Sequence, residues 1–167
     1  MTAPKRRPAC PCGTTAGTLW QDAQGLVHFK YDEGYHGAPL SLALPVCNRT
    51  YHQQALLPFL FGLLPDSEQQ RKAIARDFGV TLNNNPVAML GCIGLDCQGG
   101  VQFCREERVD DVLARTGEYR PLTDHEIALR LKAIRSDDEA TWVGEEESWS
   151  LGGNQGKFAL GLRDGAW

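Results

Sequence analysis

The chain has 167 residues, of which 42% are hydrophobic, and a formal net charge of -4. This is enough for one domain with a core of its own and part of a second. The acidic balance, with Lys5-Arg6-Arg7 as its longest basic run, excludes nucleic acid as a primary partner. No apolar run approaches the roughly 18 residues of a membrane span, and no apolar segment follows the basic residues of Met1 to Pro11, so the expectation is a cytoplasmic chain with neither membrane contact nor secretory signal.

Residues 1–15 lack periodicity and read as an irregular leader, with regular structure beginning at Ala16. Gly17 to Trp20, a turn at Asp22 to Gly25, and Leu26 to Tyr31 form a hairpin with Val27, Phe29 and Tyr31 on one face and His28 facing solvent on the other. Leu40, Leu42 and Leu44 alternate up to Pro45 and predict a third strand. From Gln53 the spacing becomes helical through Ala55, Leu56, Phe59, Leu60 and Leu63, with Pro58 in a first turn or at a kink. Ser67 to Gln70 is a capping box for a helix to Phe78 that Gly79 stops, and an asparagine before Pro86 caps a short helix to Ile93.

Gly94 to Gly100 is loop chemistry with Asp96 as an Asx-turn former, and Val101 and Phe103 return to strand. Arg105 to Arg120 reads as exposed connection. A second capping box, Thr123 to Glu126, opens a helix to about Arg135 that turns Ile127, Leu131 and Ile134 inward. Residues 136–148 form an acidic connector containing Asp137, Asp138, Glu139 and Glu145 to Glu147. Of the six cysteines, Cys10, Cys12, Cys92 and Cys97 lack the paired C-x2-C spacing of a zinc site, and Cys47 and Cys104 read as small buried hydrophobes.

Trp149 to Leu162 alternates apolar residues on both sides of Gly152-Gly153-Asn154-Gln155-Gly156 and predicts strand, glycine-rich turn, strand. Glycines admit positive φ and close backbone approach, and Lys157 adds a point charge, a combination that suits phosphate. A Walker A loop is excluded, because the glycine spacing is one residue short and Phe158 stands where the motif has a hydroxyl. An ordinary hairpin turn and a kinase-type loop over nucleotide phosphates both remain.

Taken together, Phe29-Lys30-Tyr31-Asp32, Pro39 to Pro45, Leu63-Leu64-Pro65-Asp66 with Arg71, Gly94 to Val101 and Trp149 to Leu160 resemble, in order, the N-terminal third of the HipA-like serine/threonine kinases, toxins of bacterial type II toxin–antitoxin pairs. The resemblance implies an α+β fold: a small antiparallel sheet with packed helices over residues 16–135, then the first glycine-rich hairpin of a kinase-like N-lobe over 149–167. It implies that Leu151, Gly152, Gly153, Asn154, Gln155, Gly156 and Lys157 cover the nucleotide phosphates and that Ser150 is the autophosphorylated serine. ATP and Mg2+ would belong to the complete kinase and bind this chain alone weakly. The implied partners are the remaining kinase lobe, a protein substrate and a HipB-like helix-turn-helix antitoxin.

The sequence also departs from the family. Gly152 and Asn154 replace small alanines, and the family's first strand is displaced or lost within Pro8 to Thr15. The lysine of the next strand, the catalytic-loop aspartate and asparagine and the magnesium-binding aspartate do not occur, so no catalytic residue and no metal ligand is expected in this chain. A non-catalytic module that docks on a separate kinase lobe or an antitoxin is the alternative.

Overall fold

The computed structural model describes residues 13–80, 85–116, 120–136, 152, 153 and 157–167, and the backbone of residues 6–10, 149 and 150. The fold is built on the hairpin of β3 (Gly17–Gln21) and β4 (Val27–Tyr31), in register with Leu19 opposite Phe29 and Trp20 opposite His28. Its turn is an Asx turn. The Asp22 carboxylate accepts from the backbone N–H groups of Gln24 and Leu26, and Gly25 supplies a φ of 81°.

Around this hairpin the chain lays β1 (Arg6–Cys10), β2 (Thr14–Thr15), β5 (Thr50–His52) and β7 (Gln102–Arg105), giving a six-stranded antiparallel sheet in the order β2-β1-β3-β4-β5 with β7 on β1. The irregular leader expected over residues 1–15 therefore contributes two strands. Pro8 in β1 lies opposite Phe103, a pairing across the sequence that local periodicity does not encode.

One face of the sheet holds Leu19, Val27, Phe29, Tyr31 and Tyr51 against α1 (Gln53–Gly62) and α3 (Pro86–Ile93), whose Leu56, Leu60, Val87, Met89, Leu90 and Ile93 are buried. Burying one such side chain is worth about 1.5–3 kcal/mol, so these rows carry the stability of the sheet–helix body. Pro58 sits inside α1 with its side chain outward. Helix α2 (Glu68–Asp77) starts where Ser67 Oγ accepts from Gln70 N–H and stops at Gly79 with φ 64°, and α3 starts where Asn85 Oδ1 accepts from Ala88 N–H.

The strand expected at Leu40 to Leu44 is a loop. The free edge of β4 is taken by β5, and the loop is held instead by Tyr31, whose hydroxyl donates to Leu44 O and accepts from Leu40 N–H. Leu44 is buried, while Leu42 is 96% exposed. Cys47, expected inside, lies exposed in the loop that follows. His28 does lie opposite the core, but it bonds to Asp22 and His52 rather than to solvent.

Beyond a short α4 (Val109–Leu113), α5 (Asp124–Ser136) begins with the reciprocal cap foreseen: Glu126 N–H donates to Thr123 Oγ1, and Thr123 N–H to Glu126 Oε2. Its inward face does not materialise. No residue of α5 is buried and Leu131 is 51% exposed, because the residues beside it are those of the C-terminal segment rather than the core. No helix of the described residues is long and apolar enough to cross a membrane. Residues 137–148, most of the acidic connector, lie outside the described residues.

Candidate functional site

The landmark Leu63-Leu64-Pro65-Asp66 follows α1 directly. Leu63 and Leu64 turn into the core, their N–H groups donating to Leu60 and Phe61 carbonyls, and the Pro65 and Asp66 carbonyls that follow need other donors. Arg71 in the second turn of α2 captures them. Its Nη1 donates to Pro65 O and to Asp66 O, each at 2.7 Å. The Arg71 Nε is buried and has no acceptor among the described residues.

The second landmark, Gly94 to Val101, contains the two-residue strand β6 (Asp96–Cys97). Gly99 and Gly100, at φ 76° and 69°, fold the chain back so that Cys97 N–H reaches Val101 O at 3.1 Å. Cys97 is buried, and that burial, with the Asp96 carboxylate beside it, pushes its thiol up to about 12. It is a packing residue, not a nucleophile.

These landmarks make a slot for the glycine-rich stretch. The strand β8 (Trp149–Ser150) lies parallel to β6, with Trp149 opposite Asp96 and Ser150 opposite Cys97. Gly153 then bridges to Pro65 in the same sense, and Asp66 N–H donates to Gly153 O at 3.2 Å. Between them Gly152 passes so close that a Cβ there would stand 2.6 Å from Gly62 O and 2.9 Å from Gln98 Nε2. The departure from alanine noted above thus has a steric cause. Gly153 follows at φ 108°, and Lys157 Nζ donates to Gly152 O at 2.7 Å, closing the turn on itself.

Of the stretch expected to meet phosphate, the structure brings together Gly152, Gly153 and Lys157. It gives Ser150 a place in β8, while Leu151, Asn154, Gln155 and Gly156 lie outside the described residues. The predicted hairpin is corrected in one respect. β8 pairs with β6 rather than with a following strand, and Lys157 to Leu162 joins no sheet: Phe158 instead lies under the Arg130 guanidinium of α5, 5.7 Å from its centroid. Sequence reasoning did not single out Gln98 or the Gly62 carbonyl, because contacts between segments so far apart leave no local signal. It also missed a cleft of about 430 Å3 between α5 and the C-terminal segment, lined by Arg120, Arg130, Arg163, Asp164 and Trp167. Arg120 there is paired with Glu126 at 3.2 Å.

The HipA N-terminal domain family matches residues 11–104, a span that holds the Pro65 and Asp96 sides of the slot but not the stretch seated in it. A protein of Sinorhizobium fredii, described as putative kinase Y4mE, is 31% identical over 160 residues. That match takes in 92% of this chain and 37% of the Sinorhizobium protein, so the chain spans little more than a third of that relative. An uncharacterized protein of Haemophilus influenzae is 32% identical over 87 residues, 48% of this chain and 81% of its own length. With more than half of its length matched, and the matched residues supplying β2 to β5, helices α1 to α3 and the Pro65 and Asp96 sides of the slot, this chain belongs to the HipA N-terminal domain family.

Proposed function

We propose that the chain is the N-terminal part of a HipA-like serine/threonine protein kinase, and that Ser150 to Lys157 is its nucleotide-covering loop. The observation that carries this reading is the seating of the loop's first residues. Trp149 and Ser150 lie on β6 and Gly153 on Pro65, both within the family-matched region, so the loop is held by backbone pairing at its start and by Lys157 at its end. A glycine-rich loop fixed at both ends is the arrangement by which backbone N–H groups are brought to phosphate. On this reading the Lys157 ammonium leaves Gly152 O for a phosphate oxygen when nucleotide arrives.

Ser150 supplies the regulation. It is in register with Cys97, the neighbour of Asp96. A phosphate at Ser150 would add a charge of about -1.5 to -2 at the loop that must hold the nucleotide phosphates, opposing its closed conformation. The catalytic and magnesium-binding groups belong to a second lobe, with ATP and Mg2+ as cofactors and a HipB-like helix-turn-helix antitoxin and a protein substrate as partners. Incubating the chain with ATP, Mg2+ and a complete HipA-like catalytic lobe is expected to place phosphate on Ser150, read by mass spectrometry; an unmodified serine alongside an active lobe sinks the reading. Calorimetry of ATP against the chain alone is expected to show weak or undetectable binding.

The Haemophilus influenzae relative favours a second reading. About half of this chain spans most of that protein's length, so a related unit exists within a shorter chain. In that case the present chain is an interaction module for a separate kinase lobe or a DNA-binding antitoxin. Co-purification with such a lobe while Ser150 stays unmodified distinguishes it.

A further inference from the structure

The outer face of the sheet carries a row of rings that the glycine-rich loop does not use. Register sets Trp20 of β3, His28 of β4 and His52 of β5 side by side across three strands. Trp20 stacks on His28 with centroids 5.4 Å apart and 22° between planes, and His52 meets His28 edge-on at 5.2 Å. The imidazoles turn their Nδ1 atoms toward each other across 3.0 Å. On its far side His28 Nε2 lies 2.8 Å from Asp22 Oδ2, and Asp22 is fixed by two backbone N–H groups.

These contacts set the protons. An ionised carboxylate only accepts, so His28 Nε2 carries hydrogen toward Asp22, and neutral His28 presents the Nδ1 lone pair toward His52. A histidine with one nitrogen oriented by a carboxylate and the other offering its lone pair, here to His52 in the metal-free chain, has the usual arrangement of a metal ligand and its supporting group. The second donor, His52 Nδ1, becomes available when its ring shifts its proton to Nε2.

The spacing and the donor type together narrow the metal. Metal–nitrogen bonds of about 2.0–2.1 Å join donors that are 3.0 Å apart at roughly a right angle, whereas a tetrahedral ion would hold them about 3.4 Å apart. Right-angled neighbours belong to octahedral, tetragonal and square-planar shells, and among ions that take them imidazole nitrogen binds Cu2+ and Ni2+ most strongly in the first-row order. Among the described residues no group of three or more ligating side chains gathers, so protein donors supply two positions and water the others. We propose that His28 Nδ1 and His52 Nδ1 form a two-point clamp for Cu2+ or Ni2+ across β4 and β5, with Asp22 as the positioning carboxylate. The bound ion clips the two strands together on the face opposite the core.

Trp20 gives the test its readout, because a transition-metal ion with a partly filled d shell held on His28 quenches the indole stacked against that ring. In the whole chain carrying Cys47→Ser, which removes an exposed competing thiol, Ni2+ is expected to quench Trp20 fluorescence with saturation at one equivalent, and Trp20→Phe removes that component. The electron-spin spectrum of the Cu2+ form is expected to show two imidazole nitrogens. His52→Ala, at an exposed position, leaves the circular dichroism unchanged and weakens Ni2+ at least about tenfold, and Asp22→Asn weakens it about 10–100-fold. Zn2+ competes less well than Ni2+. Quenching that persists at wild-type affinity in the His28→Ala/His52→Ala double variant, or a copper spectrum indifferent to it, overturns the proposal.

Discussion

From Ala16 to Val112 nearly every strand and helix buries side chains, whereas α5 and the segment Lys157 to Trp167 bury none. The sheet–helix body is held by apolar rows from β3, β4, α1 and α3 that close on one another. The C-terminal region is held by other means: the Thr123–Glu126 cap, the Arg130–Phe158 contact, a Leu122 N–H to Trp167 O bond and the backbone bridges of β8 and Gly153. Burial resists local opening, while exposed hydrogen bonds open cheaply. The glycine-rich stretch lies where the two regimes meet, its start pinned to the body and the chain after it carried by the looser region. On the proposed reading, a loop that covers phosphates draws on that combination of a fixed base and a movable continuation.

The largest expected effect breaks the body and spares the rest. Phe29→Ala removes a ring that is 1% exposed and packs edge-on to Tyr31 at 4.7 Å, and should cost about 3–5 kcal/mol in chemical denaturation. Leu131→Ala on α5 should stay within about 0.5 kcal/mol. Comparable losses for the two would mean that α5 packs against the core after all. Next comes Arg71→Ala, which leaves the carbonyls of Pro65 and Asp66 without their charged donor. Hydrogen bonds of that kind contribute about 1.5–3 kcal/mol, and the loss should appear both in stability and as faster hydrogen exchange of the Asp66 amide.

Gly152→Ala sharpens the boundary itself. Its Cβ meets the Gly62 carbonyl, which is backbone and cannot swing aside, and overpacking of this kind costs about 1–3 kcal/mol. Because no core side chain is involved, the cost should fall on docking. The Asp66 amide should lose protection while amides in β3 and β4 keep theirs. Unchanged exchange at Asp66 would show that Gly153 is not seated on Pro65.

Features that one segment settles by itself were legible in the sequence. Ser67, Asn85 and Thr123 cap the helices their spacing announced, and Val27, Phe29 and Tyr31 point inward as their alternation requires. Features that depend on a distant partner were not. Leu40 to Leu44 alternates like a strand, but the sheet edge it would join already carries β5. Ile127, Leu131 and Ile134 keep the spacing of a buried helix, and spacing names a face without naming what covers it. For the candidate site, the glycines and Lys157 were visible as residue types. Their seat was not, since Gly62, Gln98 and Pro65 come close to Gly152 and Gly153 only through the fold.

The smallest expected effect tests whether the C-terminal region answers to its own charges. Glu126 accepts from the Thr123 N–H at 2.7 Å and from the Thr123 hydroxyl at 2.9 Å, and Arg120 lies at 3.2 Å; the backbone bond first, then the hydroxyl and the guanidinium, hold its carboxyl below the usual range. A folded value below the unfolded one means that the stabilisation is fully present above the ordinary glutamate value of about 4.3, and is lost as pH falls through the depressed folded value. Acidification through that window should therefore fray the first turn of α5, read from carbon chemical shifts at Asp124 to Ile127. Glu126→Gln should remove that step while leaving the shifts of β3 and β4 as in the wild type. The Arg120 side chain is 63% exposed and that of Glu126 38%, which is why screening keeps the effect small. If Glu126→Gln moved the acid transition of β3 and β4 as well, the two regions would be one cooperative unit, and the loop would have no independent continuation to move.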